Sequence, residues 1–381
     1  IRMQLSRRKA GEGRSGGPRA SIVLDRASAC SYEWLMPKPR STKKLKSAAM
    51  EEGRRPTSYD VARIAGVSQS AVSRCFAPNA SIAPAKRKLI LKVAAEIGYK
   101  PNALAQALIS RRTNIVAVII SARTNFYYPE VLAELGARLS EKDFRVLLFA
   151  LSQESEVDGV LDQIWRHSVD GVISAARLSP AQVLQFTEHR VPVVLYNRVA
   201  TGAASVRCDS VEGEREIVGR LLAAGHRRFS LISGPADNYV AEERRSAALA
   251  ALAQAGVAEV PEVRGDFTYE SGRQAMRELS ARSQGQDAIV VVNDMMAIGA
   301  MDAARIDLGL SVPRDLSIVG FDGSGASRLG AYDLTTVTQP VHSMAEAAVE
   351  ILIKRIADFS APPEQRLFSG NISEGTSARI A

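Results

Sequence analysis

Residues 57–77 read TSYDVARIAGVSQSAVSRCFA. Val61, Ile64 and Ala65 recur at helical spacing, and so do Val72 and Phe76. Gly66-Val67 separates the two sets, and Ser68 is placed to N-cap a second helix. Two short helices across a tight glycine-containing turn make a helix-turn-helix. The second helix, about Gln69–Phe76, would offer Gln69, Ser70 and Arg74 outward. Amide and guanidinium groups bond base edges in pairs in a major groove, and hydroxyls hold phosphates. The competing reading of this pattern is an ordinary corner between two core helices.

The flanking residues extend it. Ala85–Ile97 (AKRKLILKVAAEI) has helical periodicity, with Leu89, Val93 and Ile97 on the apolar side and Gly98 as its stop. Pro101 then breaks the chain, and Asn102 caps a short segment in which Leu104 and Leu108 stand i, i+4. A helix of about two turns does not hold alone and forms only against a partner. Residues 1–56 hold 14 Lys/Arg against 5 Asp/Glu, residues 57–112 hold 9 against 2, and the remainder 26 against 34. The net charge of +8 thus hides a basic front on an acidic body, the balance of a polyanion-binding domain joined to something else. Residues 1–55, rich in Arg, Lys, Ser and Gly, carry no lasting periodicity and read as a basic, disordered extension. They lack the central apolar block of a secretory signal, and no run reaches the ~18 apolar residues of a membrane span. The expectation is a cytoplasmic protein with no membrane partner.

From Thr113 the pattern becomes alternating strand and helix, in two series of similar length. Near-continuous apolar strands such as Ile115–Ile120, Val191–Tyr196, Ala288–Val292 and Ser317–Phe321 indicate an α/β fold of parallel sheets covered on both faces. Ligands of such sheets bind beyond the carboxyl ends of the strands, which in a two-lobed domain is the cleft between lobes. Ser121, Asn125, Asn197, Arg198, Asn293 and Asp322 all stand at such ends. Each alone could be a turn-former. Their recurrence favours a polar cleft whose amides and carboxylates meet sugar hydroxyls.

No enzyme signature is present: neither a G-x-S-x-G elbow, nor a phosphate loop, nor H-E-x-x-H. Cys30, Cys75 and Cys208 are isolated and form neither a disulfide frame nor a metal set. No catalytic residue, metal or cofactor is therefore assigned.

YDVARIAGVSQSAVSR and GYKPNALAQAL resemble the opening of the lactose-repressor/galactose-repressor family of bacterial transcription regulators. AAGHRRFSLISGP, GDFTYESG, VVNDMMAIGAMDAA, SVPRDLSIVGFD and LTTVTQP are similar to later segments of that family, in its order, so the likeness covers about residues 56–381. It starts only near Pro56, which makes Met50 a candidate start. It implies a three-helix headpiece over 56–100, a hinge helix over 101–112 and an effector-binding, dimerising domain over 113–381 like the periplasmic sugar-binding proteins. Lobe one would take about 113–208 and 339–368, lobe two about 209–338 and 369–381. The resemblance implies DNA contacts at Tyr59, Ser68, Gln69, Ser70, Ser73 and Arg74, with hinge contacts at Asn102, Ala105 and Leu108. It places effector contacts at Ser121, Asn125, Tyr127, Asn197, Arg244, Asn293 and Asp322. Departures are Ala77 for the usual Asn, Ala83 for the usual Ser or Thr cap, Asn125-Phe126-Tyr127-Tyr128 for Asn-Pro-Phe-Phe, and Gly323 for an Asp.

The reading is a homodimeric repressor of a near-palindromic operator, controlled by a carbohydrate-like effector. Its rival is a periplasmic-type solute-binding protein or sugar enzyme without DNA function. For Arg244 and Asp322, the alternative to ligand binding is a salt bridge that braces the lobe.

Overall fold

The computed structural model describes residues 54–77, 81–101, 112–121, 127–151, 156–283 and 285–381, the side chain of Ser121 excepted. The expected basic extension up to residue 53, the expected hinge contacts Asn102, Ala105 and Leu108, and Asn125 lie outside the described residues. Contacts divide the chain into two units, which join in sequence at Pro101 and Asn102.

The first unit holds three helices, α1 (Ser58–Ala65), α2 (Gln69–Phe76) and α3 (Pro84–Ile97). Gly66 closes α1 at φ 64°, a left-handed conformation that costs glycine least. Ser68 then opens α2, its hydroxyl accepting the Ala71 amide at 3.3 Å. Val61, Val72, Cys75, Ile90, Val93 and Ile97 form the core. Leu89, expected on the apolar side of α3, is 44% exposed, and Ile90 takes the inner place. A stripe through Val93 and Ile97 continues back to either residue, and packing against α1 and α2 selects Ile90, Val93, Ala94 and Ile97. No side chain caps α3 at Ala83, where Pro84 occupies the first turn instead, a position proline tolerates because its missing N–H is unused there.

In the second unit the chain runs β1 (Ile115–Ser121), α4 (Tyr127–Glu141), β2 (Arg145–Leu151), α5 (Val157–His167), β3 (Gly171–Ser174), α6 (Pro180–Glu188), β4 (Val193–Tyr196) and β5 (Ala204–Cys208). It continues through α7 (Ser210–Ala223), β6 (Phe229–Ser233), α8 (Tyr239–Gln254), β7 (Glu262–Arg264), α9 (Tyr269–Arg282), β8 (Ala288–Val291) and α10 (Asp294–Asp302). β9 (Ser317–Asp322), β10 (Thr335–Thr338), α11 (Val341–Ala357), β11 (Gln365–Phe368) and β12 (Asn371–Ser373) complete it. Helix α10 opens into a π-turn over Ala303–Asp307.

Two six-stranded sheets result, ordered β11-β5-β4-β3-β1-β2 and β12-β10-β9-β8-β6-β7. Their pairings are parallel except that of β10 with β12. In β1 the residues alternate faces: Val116, Val118 and Ile120 enter one core, Ala117 and Ile119 the other, so helices cover both sides. α11 returns to the first lobe and packs on α4 and β3 to β5. Gly171 permits this, since a Cβ there would lie 2.9 Å from Leu352 Cδ1. The chain passes between lobes after β5, after β10 and after β11. The first and third passages are tied together where the Asp209 amide donates to the Phe368 carbonyl at 2.7 Å.

Candidate nucleic-acid interface and inter-lobe site

In the first unit the polar residues of α1 and α2 other than Asp60 lie outside its core. Tyr59 is 72% exposed, and Ser68, Ser70 and Arg74 are exposed beside half-buried Ser73. Arg74 Nε reaches back to the Ser70 carbonyl at 3.4 Å, and the Ser68 and Ser70 hydroxyls stand 3.0 Å apart. Gln69 is less free than expected: it is half-buried, and its amide donates to Ser58 Oγ at 3.3 Å. Behind this face Asp60 fixes the start of α1. It accepts two guanidinium bonds from Arg54, at 2.7 and 3.1 Å, and the Thr57 amide at 3.0 Å. The Arg54 bonds hold its carboxyl well below the usual carboxylate range, because they favour the charged form.

In the second unit a buried polar network joins the two lobes. In lobe two, Arg244 on α8 meets Asp322 at the end of β9, Nη1 to Oδ1 3.0 Å, with both side chains almost wholly enclosed. The same Nη1 donates to the Val292 carbonyl at 2.7 Å, and the guanidinium lies 3.8 Å above the Phe321 ring. Asp322 Oδ1 also accepts from Gln339 Nε2 at 2.8 Å. The other end of that amide faces lobe one, where Gln339 Oε1 accepts from Asn197 Nδ2 at 2.7 Å and from the Tyr127 hydroxyl at 3.0 Å. Asn197 Oδ1 in turn takes the Cys208 amide at 3.0 Å. Gln339 stands in the middle passage, between β10 and α11. Neither the pattern of strand ends nor the mapped contacts included it, since one Gln after a Thr-rich segment carries no signal of its own.

Backbone geometry at this corner is unusual. Asp322 adopts φ 131°, a conformation that side-chain-bearing residues hold only when their surroundings fix them. Asn197 sits at φ 52°, a left-handed region that Asn tolerates better than most residues. Gly323 follows at φ 70°, and a Cβ on it would lie 2.5 Å from Thr338 Oγ1. The Asp usual in the family has no room here.

Asn293, expected in the cleft, is fully buried and serves the fold: it accepts the Met296 amide at 3.1 Å and donates to the Phe267 carbonyl at 3.3 Å. Next to it, Asp294 takes the Thr336 hydroxyl at 2.5 Å and the Ser324 amide at 2.7 Å. Burial, then the nearby Asp322 charge, raises its carboxyl to about 6. Glu214 on α7, also missed from sequence, is buried with Oε1 lacking a hydrogen-bond partner. Burial lifts it to about 8, against the pull of Arg244. Burial likewise raises the Tyr127 hydroxyl, and the Cys208 thiol to about 12. Among the described residues, no group of three or more His, Cys, Asp or Glu is placed to hold a metal ion. No helix among them is long and apolar enough to cross a membrane.

Comparison with known proteins agrees with both halves. Residues 57–102 match the model of bacterial regulatory proteins, lacI family, and residues 218–378 that of a periplasmic binding protein-like domain. The HTH-type transcriptional regulator CelR of Thermobifida fusca is 33% identical over 327 residues, covering 82% of this chain and 96% of its own. Catabolite control protein A of Priestia megaterium is 32% identical over 305 residues, covering 78% and 92%. Among solved structures, a lac repressor dimer bound to operator and the anti-inducer ONPF superposes with a TM-score of 0.78 at 25% identity, covering 86% of this chain and all of that one. A CelR–cellobiose complex gives 0.64 at 30%, covering 85% and all of that chain. These relatives are transcriptional regulators, and they do not favour the rival reading without DNA function. With its helix-turn-helix and its two-lobed parallel-sheet domain, the chain belongs to the lacI family of DNA-binding transcriptional regulators.

Proposed function

We propose that the chain is a dimeric repressor whose inter-lobe cleft takes a carbohydrate or carbohydrate derivative, with Tyr127, Asn197, Arg244 and Asp322 meeting its hydroxyls. The observation that carries this reading is the Gln339 amide, bonded at one end to Asp322 of lobe two and at the other to Asn197 and Tyr127 of lobe one. A polyol offers alternating donors and acceptors, the groups this network exchanges among itself. An effector that replaces the Gln339 bonds with its own therefore changes what joins the lobes, and differential contacts of this kind are what a ligand needs to shift a conformational equilibrium. CelR has been solved with cellobiose and the lac repressor dimer with its operator, which supports sugar and two-fold DNA as ligands here.

In this reading residues 56–100 read the half-site through Tyr59, Ser68, Gln69, Ser70, Ser73 and Arg74. Gln69 gives up its bond to Ser58 on meeting a base. Residues 101–112 form the hinge, with Asn102, Ala105 and Leu108 against the minor groove. Ser121 and Asn125 complete the effector site. Asn293, which caps α10, joins them as an effector contact.

The test uses the full chain and an operator selected from randomised duplexes, titrated with a panel of mono- and disaccharides that includes cellobiose. The expected result is that at least one sugar changes operator affinity, and that Asp322→Asn abolishes this response while still binding operator. An Asp322→Asn protein that is folded and fully responsive removes Asp322 from the site. Parallel loss of melting temperature and DNA binding instead makes the Arg244 pair a brace.

A further inference from the structure

The first lobe holds another cavity, of about 390 Å³, at the amino ends of β1, β3 and β4. The parallel strands place it on the opposite side of the lobe from the cleft. Arg112, Arg190 and Arg355 line it together with Trp165, His189 and Phe359. The guanidinium carbons of Arg190 and Arg355 lie 5.5 and 5.7 Å from the centre of the same Phe359 ring. Trp165 and His189 stack beside them, their ring centres 4.2 Å apart.

Charge is unbalanced here. The one carboxylate in the lining, Asp170, is engaged by the amides of Thr113 and Asn114 at 3.2 and 2.7 Å. Among the described residues neither Arg190 nor Arg355 has a carboxylate within ion-pair distance, and the buried Nε of Arg355 has no hydrogen-bond partner. Cations gathered on one ring repel one another, and an enclosed donor without an acceptor is destabilising. An anion relieves both. The volume lies within the range of small-molecule pockets, and flat aromatic walls suit the body of a small organic ligand rather than a duplex backbone.

We infer that this cavity is a second ligand site, for an organic anion that carries a phosphate or carboxylate head on a flat apolar body. The head sits at Arg190 and Arg355, and the body lies against Trp165 and Phe359. Asp170 in its wall holds the first residues by which the chain enters lobe one, so occupancy bears on that entry point.

The probe is phenyl phosphate, with phenol as the uncharged control. The chain has two tryptophans, so in a full-length Trp34→Phe background the fluorescence reports Trp165 alone. The expected result is a saturable change with phenyl phosphate and none with phenol. Arg190→Gln, at an exposed position, should raise the Kd about tenfold, the size of one lost charge-assisted bond. Phe359→Leu should weaken phenyl phosphate more than inorganic phosphate. The proposal falls if phenyl phosphate gives no saturable change, if phenol matches it, or if Arg190→Gln binds as the parent does. It also falls if Arg190→Gln weakens duplex DNA binding while the parent ignores phenyl phosphate, which assigns these arginines to nucleic acid.

Discussion

The two units treat their polar groups in opposite ways. In the headpiece Tyr59 and Arg74 face water, Tyr59 with 72% of its surface. In the inter-lobe site Arg244, Asp322 and Gln339 keep 2–3% of theirs and are bonded to one another. Size of partner accounts for the contrast. A duplex cannot be enclosed, so the residues proposed to contact it stand on an exposed surface. A small ligand can be enclosed, so the groups proposed to meet it are desolvated and must satisfy each other when it is absent. It follows that recognition and stability are separable in the headpiece and entangled in the body.

The largest effect should come from breaking the entangled pair. Asp322→Ala leaves Arg244 charged and enclosed without its carboxylate, a loss of about 3–5 kcal/mol for a buried pair cut on one side. Urea unfolding of the full chain, followed by a signal from the body, reads this directly. A loss below ~1 kcal/mol would mean that water reaches the pair and that the contrast with the headpiece is smaller than the burial suggests.

Acidity sharpens the comparison next, because the two units should respond with opposite sign. Glu214 is raised to about 8 and Asp294 to about 6. A raised carboxyl binds its proton more tightly folded than unfolded, so its stabilisation is complete at low pH and fades as pH climbs through the folded value. Lowering the pH from 8.5 to 5.5 should therefore raise the body's melting temperature, each group adding at most about 1.4 kcal/mol per pH unit. Asp60 is lowered by its Arg54 bonds, so its contribution is present at neutral pH and is lost on acidification below ~4. Melts of the full chain monitored separately in each unit should show the body firming while the headpiece is unchanged above pH 5. In Glu214→Gln the body's rise above pH 6.5 should disappear. A body melting temperature that stayed flat in the parent would show that Glu214 is hydrated.

How much of this could be read from residues follows the same division. The helix-turn-helix was legible because its signals are local: a glycine stop, a serine cap and periodicity over 21 residues. Long apolar strands such as β1 and β9 were legible for the same reason. β5, β7, β10, β11 and β12 were not, being three to five residues long and partly polar, so only their neighbours make them strands. The site divided likewise. Asp322 and Asn197 announced themselves as polar residues after apolar strands. Gln339 and Glu214 gain their places from a passage between lobes and from a helix packed behind Arg244, both set by tertiary contacts. Asn293 shows where sequence is ambiguous, because a capping Asn and a ligand-binding Asn look alike in it.

A smaller effect should appear in the headpiece, and only in binding. Arg74→Ala removes an exposed guanidinium that contributes nothing to the core, so operator affinity should fall by about 1–3 kcal/mol with the headpiece melting temperature unmoved. Fluorescence anisotropy on the selected operator, paired with a thermal melt, checks both halves of that statement. Loss of both together would break the claim that recognition and stability separate there.

The finest test falls on Ser68, a proposed DNA contact that also caps α2. Its hydroxyl accepts the Ala71 amide at 3.3 Å and stands 3.0 Å from Ser70 Oγ, so it caps α2 while remaining exposed. Ser68→Ala removes cap and contact together, and its cost of about 1 kcal/mol in stability does not tell them apart. Ser68→Asp does. Aspartate caps as well as serine, and its charge suits the positive end of the helix, which adds a few tenths of a kcal/mol near an N-terminus. The melting temperature should therefore hold or rise slightly. The same charge placed before a phosphate repels it, so operator affinity should drop, and the loss should shrink as added salt screens the repulsion. Affinity that stayed at the parent level would make Ser68 a cap alone, and the DNA face would then begin at Gln69.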